Sequence, residues 1–200
     1  MLLAALAAAP GLAQYHHNFR LGLGSGQPRA NLRSLYRDSF GLALGYGFRF
    51  HPYMQLDAGL DSVFGAAGVR DFLPSQFGDL RIRDYQFLVP VGGRVILPFL
   101  SDRAQIHAGG GAAYMRYTER VRQPSDYFRI DCSVCASRHG WGYYGLVGAS
   151  VGVDRRNHWR IGVSSRIYRG HTDGDPLGAV DAVRTRDHWV NIFGEMIFSF

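Results

Sequence analysis

The chain contains no lysine, and all 22 of its basic residues are arginine. Guanidinium groups tolerate ion pairing in low-dielectric surroundings better than ammonium groups do. Beyond the N-terminus there is no run of 18 apolar residues, which excludes a helical membrane span. Only two cysteines are present, Cys132 and Cys135, in the stretch Asp-Cys-Ser-Val-Cys. A structural zinc site would need two more ligands nearby, and only His139 is close. No strand–helix–strand pattern surrounds the pair, so a thioredoxin-like redox site is also disfavoured. In an exported protein the expected fate is a small disulfide-closed loop. The arginines are dispersed rather than clustered, so the net charge of +6 does not form a nucleic-acid footprint. There is no 20–50 residue repeat and no low-complexity tract.

What is present is alternation with a period of two. Counting back from the end, Phe200, Phe198, Met196, Gly194, Ile192 and Val190 share one side, and Ser199, Ile197, Glu195, Phe193 and Asn191 share the other. One side is apolar throughout while the other carries a carboxylate and an amide, which describes a strand between two unlike environments. The pattern recurs. Phe40, Leu42, Leu44, Tyr46, Phe48 and Phe50 oppose Gly41, Ala43, Gly45, Gly47 and Arg49. Met54, Leu56, Ala58 and Leu60 oppose Gln55, Asp57, Gly59 and Asp61. Trp159, Ile161, Val163 and Ile167 oppose Arg160, Gly162, Ser164, Arg166 and Tyr168. The stretch after residue 104 is weaker, and its Gly109-Gly110-Gly111 predicts a bulge that shifts the phase. No second layer of helices or sheets is available to cover these apolar faces. The fold class expected is therefore all-β: an eight-stranded, antiparallel, up-and-down transmembrane barrel with lipid outside and polar groups inside.

Eight strands are predicted at about 16–24, 38–50, 54–65, 82–97, 104–118, 140–153, 159–169 and 187–200. The connections 51–53, 98–103 and 154–158 are short and contain turn formers. The connections 25–37, 66–81, 119–139 and 170–186 are long and polar. Short turns at one end and long loops at the other are how outer-membrane barrels are built. Outward aromatics gather at the two strand ends, as two interfacial girdles require. Residues 1–14 read as a secretory signal peptide with an apolar core from Leu2 to Ala9, followed by the barrel over 15–200.

An eight-stranded barrel has an interior just wide enough to be filled by side chains. The inward set holds Arg20, Arg49, Arg94, Arg160 and Arg166 against Asp57, Asp61, Asp84 and Glu195. Opposed charges on that scale predict mutual pairing, because unpaired buried charge is costly. The expected product is a plug of charges and trapped water, with Glu195 paired to Arg160 or Arg20. No catalytic constellation, metal site or cofactor is expected.

The architecture and the terminal Phe200 resemble the small eight-stranded outer-membrane barrels of Gram-negative bacteria, the group that includes OmpX and the transmembrane domain of OmpA. The resemblance spans essentially all of residues 15–200. It implies a monomer in the outer membrane, in contact with lipid and lipopolysaccharide, with both termini in the periplasm. It also implies that Met196, Phe198 and Phe200 form the signal read by the barrel-assembly machinery. Functions in such proteins range from adhesion and envelope stability to lipid modification. A lipid A deacylase would carry a His-x-Ser-Asn motif. The nearest stretch here, Tyr168-Arg169-Gly170-His171-Thr172-Asp173, has Thr for Ser and Asp for Asn, and Ser164 and Ser165 precede the histidine. A structural or surface-interaction role is therefore expected ahead of hydrolysis or solute conduction.

Overall fold

The computed structural model describes residues 16–29, 32, 37–65, 72–75, 78–100, 103–121, 135, 137–174 and 185–200. Among these residues nine strands are formed: β1 (His17–Pro28), β2 (Ser39–His51), β3 (Met54–Phe64), β4 (Phe72–Ser75), β5 (Gly78–Phe99), β6 (Ala104–Val121), β7 (Ser137–Gly152), β8 (Trp159–Gly174) and β9 (Thr185–Ser199). Every paired neighbour is antiparallel. β3 pairs with β5, and β1 pairs with β9 across the seam, so eight strands close into a ring. β4 stands outside that ring as a hairpin partner of the β5 extension, from Phe72 opposite Arg81 to Ser75 opposite Gly78.

Three sequence expectations need correction. First, β4 lies in a stretch expected to be loop. Second, the strands run further toward the long-loop end than expected: β6 reaches Val121, β8 reaches Gly174, and β9 begins at Thr185. The ladder is made by main-chain groups and continues past the lipid boundary, whereas polar side chains there give the composition of a loop. Third, Gly109-Gly110-Gly111 holds no bulge. Gly109, Gly110 and Gly111 pair in unbroken register with Arg94, Gly93 and Gly92, and equally smoothly with Leu146, Gly145 and Tyr144. A register shift falls instead at Arg49/His51, beside a short turn. The signal peptide expected at 1–14 lies outside the described residues, as does Cys132. Cys135 is disulfide-bonded.

The inward and outward sets follow the period of two. On β8, Val163 is 60% exposed on the outer wall while its neighbour Ser164, at 2%, faces in. The outer wall is a continuous apolar surface that includes Leu21, Leu23, Leu44, Leu56, Val91, Val147 and Ile192. Such a surface is stable only against hydrocarbon. Pro90 interrupts the pairing of β5 with β3. β3 pairs with β5 from Met54 to Ala58 and again from Asp61, but not at Gly59 and Leu60, opposite Pro90 and Val89. Pro90 has no N–H to donate to β3, although its partner on the other side, Ala113, stays in register.

At the short-turn end, Asp154 organises the β7–β8 connection. Its Oδ1 accepts from the Trp159 N–H at 2.9 Å, and its Oδ2 accepts from the N–H groups of Arg156 and His158, each at 3.2 Å. These bonds, led by that from Trp159, hold its carboxyl below the usual range. The seam is clasped in both directions, by His17 N–H to the Phe200 carbonyl at 3.1 Å and Phe200 N–H to the His17 carbonyl at 3.0 Å. The Phe200 ring lies 5.8 Å from Phe19 and 5.7 Å from Phe198, and Phe198 in turn lies 4.7 Å from Trp159. The terminal aromatic cluster thus bridges β1, β9 and β8. Deleting Phe200, or the change Phe200→Asp, should lower the amount of folded protein in the outer membrane while export to the periplasm continues. Fractionation with a heat-modifiability gel checks this, and equal membrane levels of the variant and the parent would refute it.

Candidate functional site

The inward positions divide the interior into two layers. The layer toward the short turns is charged. Asp57 on β3 accepts from Arg20 Nη2 at 3.0 Å, from Gln55 Nε2 at 2.8 Å, and from Arg94 Nε. Gln55 in turn accepts from Asn18 Nδ2 at 3.0 Å. Asp61, four residues further on, is fully buried and accepts from Arg166 Nη1, Tyr168 Oη at 2.7 Å and Asn191 Nδ2 at 3.4 Å. Arg166 also donates through Nη2 to Glu195, which accepts Ser164 Oγ at 2.8 Å. β3 and β8 lie four strands apart in either direction round the ring. The Asp61–Arg166 and Asp61–Tyr168 contacts therefore cross the full width of the barrel.

Three arginines (20, 94 and 166) and three carboxylates (57, 61 and 195) make up this cluster, so its formal charge cancels. Inward glycines make the space. A Cβ at Gly45 would stand 2.9 Å from Arg20 Nη2, and one at Gly47 would collide with Gln55 and Asp57. A cavity of about 10 Å³ is bounded by Arg20, Asp57, Pro90, Arg94, Tyr144 and Arg166, room for about one water. It sits where Pro90 parts β3 from β5.

Above it, toward the long loops, the interior is apolar and aromatic. Val63, Leu88, Met115, Tyr117, Tyr168 and Trp189 pack there, with Leu32 from the first long connection among them. Trp189 Nε1 donates to Tyr117 Oη at 3.0 Å, and the Tyr144 and Tyr168 rings stack at 5.8 Å. Higher still, Thr172 Oγ1 donates to Asp187 at 2.7 Å, and Arg138 donates to the Thr172 carbonyl at 3.1 Å.

Of the nine residues expected in the interior network, Arg20, Asp57, Asp61, Arg94, Arg166 and Glu195 meet in one cluster. Arg49 is half-buried and reaches Gln105 Oε1 at 3.4 Å. Arg160 donates to Ser150 Oγ at 3.3 Å and to the Arg103 carbonyl at 3.1 Å. Asp84 lies ten residues along β5 from Arg94, opposite Glu119. The expected pairing of Glu195 with Arg160 or Arg20 is therefore replaced by pairing with Arg166. Strand tilt is the cause. Inward side chains at one level come from staggered positions on successive strands, not from adjacent partners in register. The network also takes in Gln55, Tyr168, Asn191 and Ser164, uncharged residues that a search for opposed charges passes over although each lies on an inward position of its strand. Thr172 and Arg138 fall in stretches expected to be loop, and Asp187 is the first residue of the strand expected at 187–200.

The residues nearest to a hydrolase motif are kept apart by the wall. Ser164 faces in and is bonded to Glu195. Thr172 also faces in, whereas His171 lies on the outward set opposite Arg186. No Ser–His or Thr–His pair forms among them.

Removing one partner of a buried charge cluster strands the other. Asp61→Ala should destabilise the barrel by about 3–5 kcal/mol, because it takes away the acceptor for three donors. Glu195→Ala should cost less, since Arg166 keeps Asp61, and Glu195→Gln should cost least because it retains an acceptor for Ser164. Urea unfolding of the refolded protein in lipid gives the ranking; an unchanged stability in Asp61→Ala would refute the cross-barrel strut.

Residues 1–187 match the family described as "Outer membrane protein beta-barrel domain". Among solved structures, Neisserial surface protein A is similar with a TM-score of 0.60 at 11% sequence identity, covering 92% of this chain and 97% of its own. OprG of Pseudomonas aeruginosa is similar with a TM-score of 0.55 at 15% identity, covering 94% of this chain and 98% of its own. At those identities the likeness is one of fold. No curated protein matches the chain in sequence. The closed eight-strand ring with its apolar exterior, together with a family match over most of its length, makes this chain a member of the outer-membrane protein β-barrel domain family.

Proposed function

We propose that this barrel has a structural or surface-interaction role in the outer membrane, with a closed interior, long loops presented to the outside and both termini in the periplasm. The observation that carries the closed interior is the Asp61–Arg166 contact between opposite walls. It is backed by the Arg20–Asp57–Arg94 group below and the aromatic layer above. A solute would have to break paired buried charges and then displace packed rings, and neither step is offset by anything it could bind on the way. The role then lies with the surfaces: the lipid-facing wall and the long connections. Lipid, lipopolysaccharide and the barrel-assembly machinery are the partners this reading names, and the barrel acts as a monomer. The orientation follows from an even strand number, which puts both ends on one side, and from the short connections sharing that side.

The unmutated protein in planar bilayers should give no steady open-channel current, and large stable currents would overturn the closed interior. Epitope tags inserted at 119–139 or 170–186 should be labelled by antibody on intact cells. A tag at 51–53 should be labelled only after the outer membrane is permeabilised, and labelling of that tag on intact cells would reverse the orientation.

A further inference from the structure

We infer that the outer wall of β1, β8 and β9, at the long-loop end, holds the phosphate group of an outer-leaflet glycolipid, with Arg29, Arg169, Arg186, His171 and His188 as its ligands. The inference rests on the orientation proposed above. Alternation on β8 and β9 sends Tyr168, Thr172, Asp187 and Trp189 into the barrel, where all four are buried. Their neighbours Arg169, His171, Arg186 and His188 therefore stand on the outer wall. The register sets Arg169 directly opposite His188, and His171 directly opposite Arg186. Arg29, just beyond β1, joins them through its N–H to the His188 carbonyl at 2.8 Å, and His188 lies within electrostatic reach of both Arg29 and Arg169.

Three features point to a lipid phosphate. The first is the sign. Arg169 and Arg186 are diagonal neighbours across the β8–β9 pair, and among the described residues no carboxylate forms an ion pair with Arg29, Arg169 or Arg186. The outward acid on β8, Asp173, is the next outward position after His171 and lies opposite His139 on β7, and it forms no ion pair with the three arginines. An anion from outside the chain would balance the patch. The second is the depth. Arg169 is opposite Tyr143, and His171 is opposite Trp141, across the β7–β8 pair. Those two rings are 61% and 68% exposed on the apolar wall, as residues at a headgroup boundary are. Immediately below, the outer wall is Ile167 and Val190, also opposite each other. The cations thus sit at headgroup level rather than up in the aqueous loops. The third is the donor type. Guanidinium forks bind phosphate in bidentate fashion, and cross-strand neighbours stand close enough for two side chains to grip one group.

The test titrates the detergent-folded protein with diphosphoryl lipid A and counts bound lipid by native mass spectrometry. Lipid A with the same acyl chains but no phosphate forms a second arm, and inorganic phosphate and a sulfated polysaccharide form competing arms. The parent should bind the diphosphoryl form, and Arg169→Gln/Arg186→Gln should bind it at least about tenfold more weakly. Arg169→Lys/Arg186→Lys, which keeps the charge and the fold but loses the bidentate fork, should fall between the two. Arg155→Gln/Arg156→Gln, which removes equal charge from the β7–β8 turn at the other end, should bind like the parent. Equal binding of the phosphate-free lipid, or unchanged affinity in both Arg169/Arg186 variants, would overturn the site. Full displacement by inorganic phosphate or by the polysaccharide would make it a site for soluble anions and overturn the lipid assignment. Sheet content and heat-modifiability, measured on the same samples, report the barrel itself, so loss of the site is distinguished from loss of the fold.

Discussion

Everything in this molecule depends on the requirement that main-chain N–H and C=O groups find partners inside the sheet, because hydrocarbon offers none. Closing the sheet between β1 and β9 meets that requirement without leaving an edge. Closure then divides every strand into two sets of side chains with no intermediate option. The residues that face lipid must be apolar, and those that face inward must fill a space too narrow for much water. The break at Pro90 shows the same rule from the other side. One missing N–H unpairs two positions of β3, and the small interior cavity lies beside them.

The inward set is held by two kinds of interaction, in separate layers. Near the short turns, charges cancel across the lumen, and the inward glycines of β2 lie where longer side chains from β1 and β3 need room. Near the long loops, aromatic and aliphatic side chains pack as they would in a water-soluble core. Tyr168 joins the two layers. Its ring stacks on Tyr144, while its hydroxyl is bonded to Asp61. A charged layer alone would leave polar atoms searching for water, and an apolar layer alone would not fix which residues face each other. Asp61 draws donors from β8 and β9 to one point, and so specifies the arrangement of walls that are not neighbours.

The outer wall is graded in the same way. It carries leucine, valine and isoleucine at mid-height and aromatic rings at both boundaries. Level with Trp141 and Tyr143, across the β7–β8 pair, it changes to arginine and histidine. The opposite boundary is closed by the Phe19–Phe200–Phe198–Trp159 ring cluster, tied to the seam. The two ends therefore meet different surroundings with different chemistry.

The strands, their alternation and the assignment of residues to lipid or lumen were legible in the sequence, because a period of two is a local property that needs no partner to be read. That is why Ile192, Met196 and Phe198 could be placed outside, and Glu195 and Asn191 inside, from β9 alone. The extent of the strands beyond the membrane was not legible, since a main-chain ladder tolerates the polar side chains that make Thr172 and Arg138 look like loop residues. Nor was the choice of partners. Glu195 had several arginines in range by strand position, and only the tilt and closure of the barrel brought it to Arg166 rather than to Arg160 or Arg20. The same geometry carried Asp61 across the lumen to a strand more than a hundred residues away in sequence. Local periodicity decides which way a side chain points; what it meets there is set by how many strands close the ring and how far they are staggered.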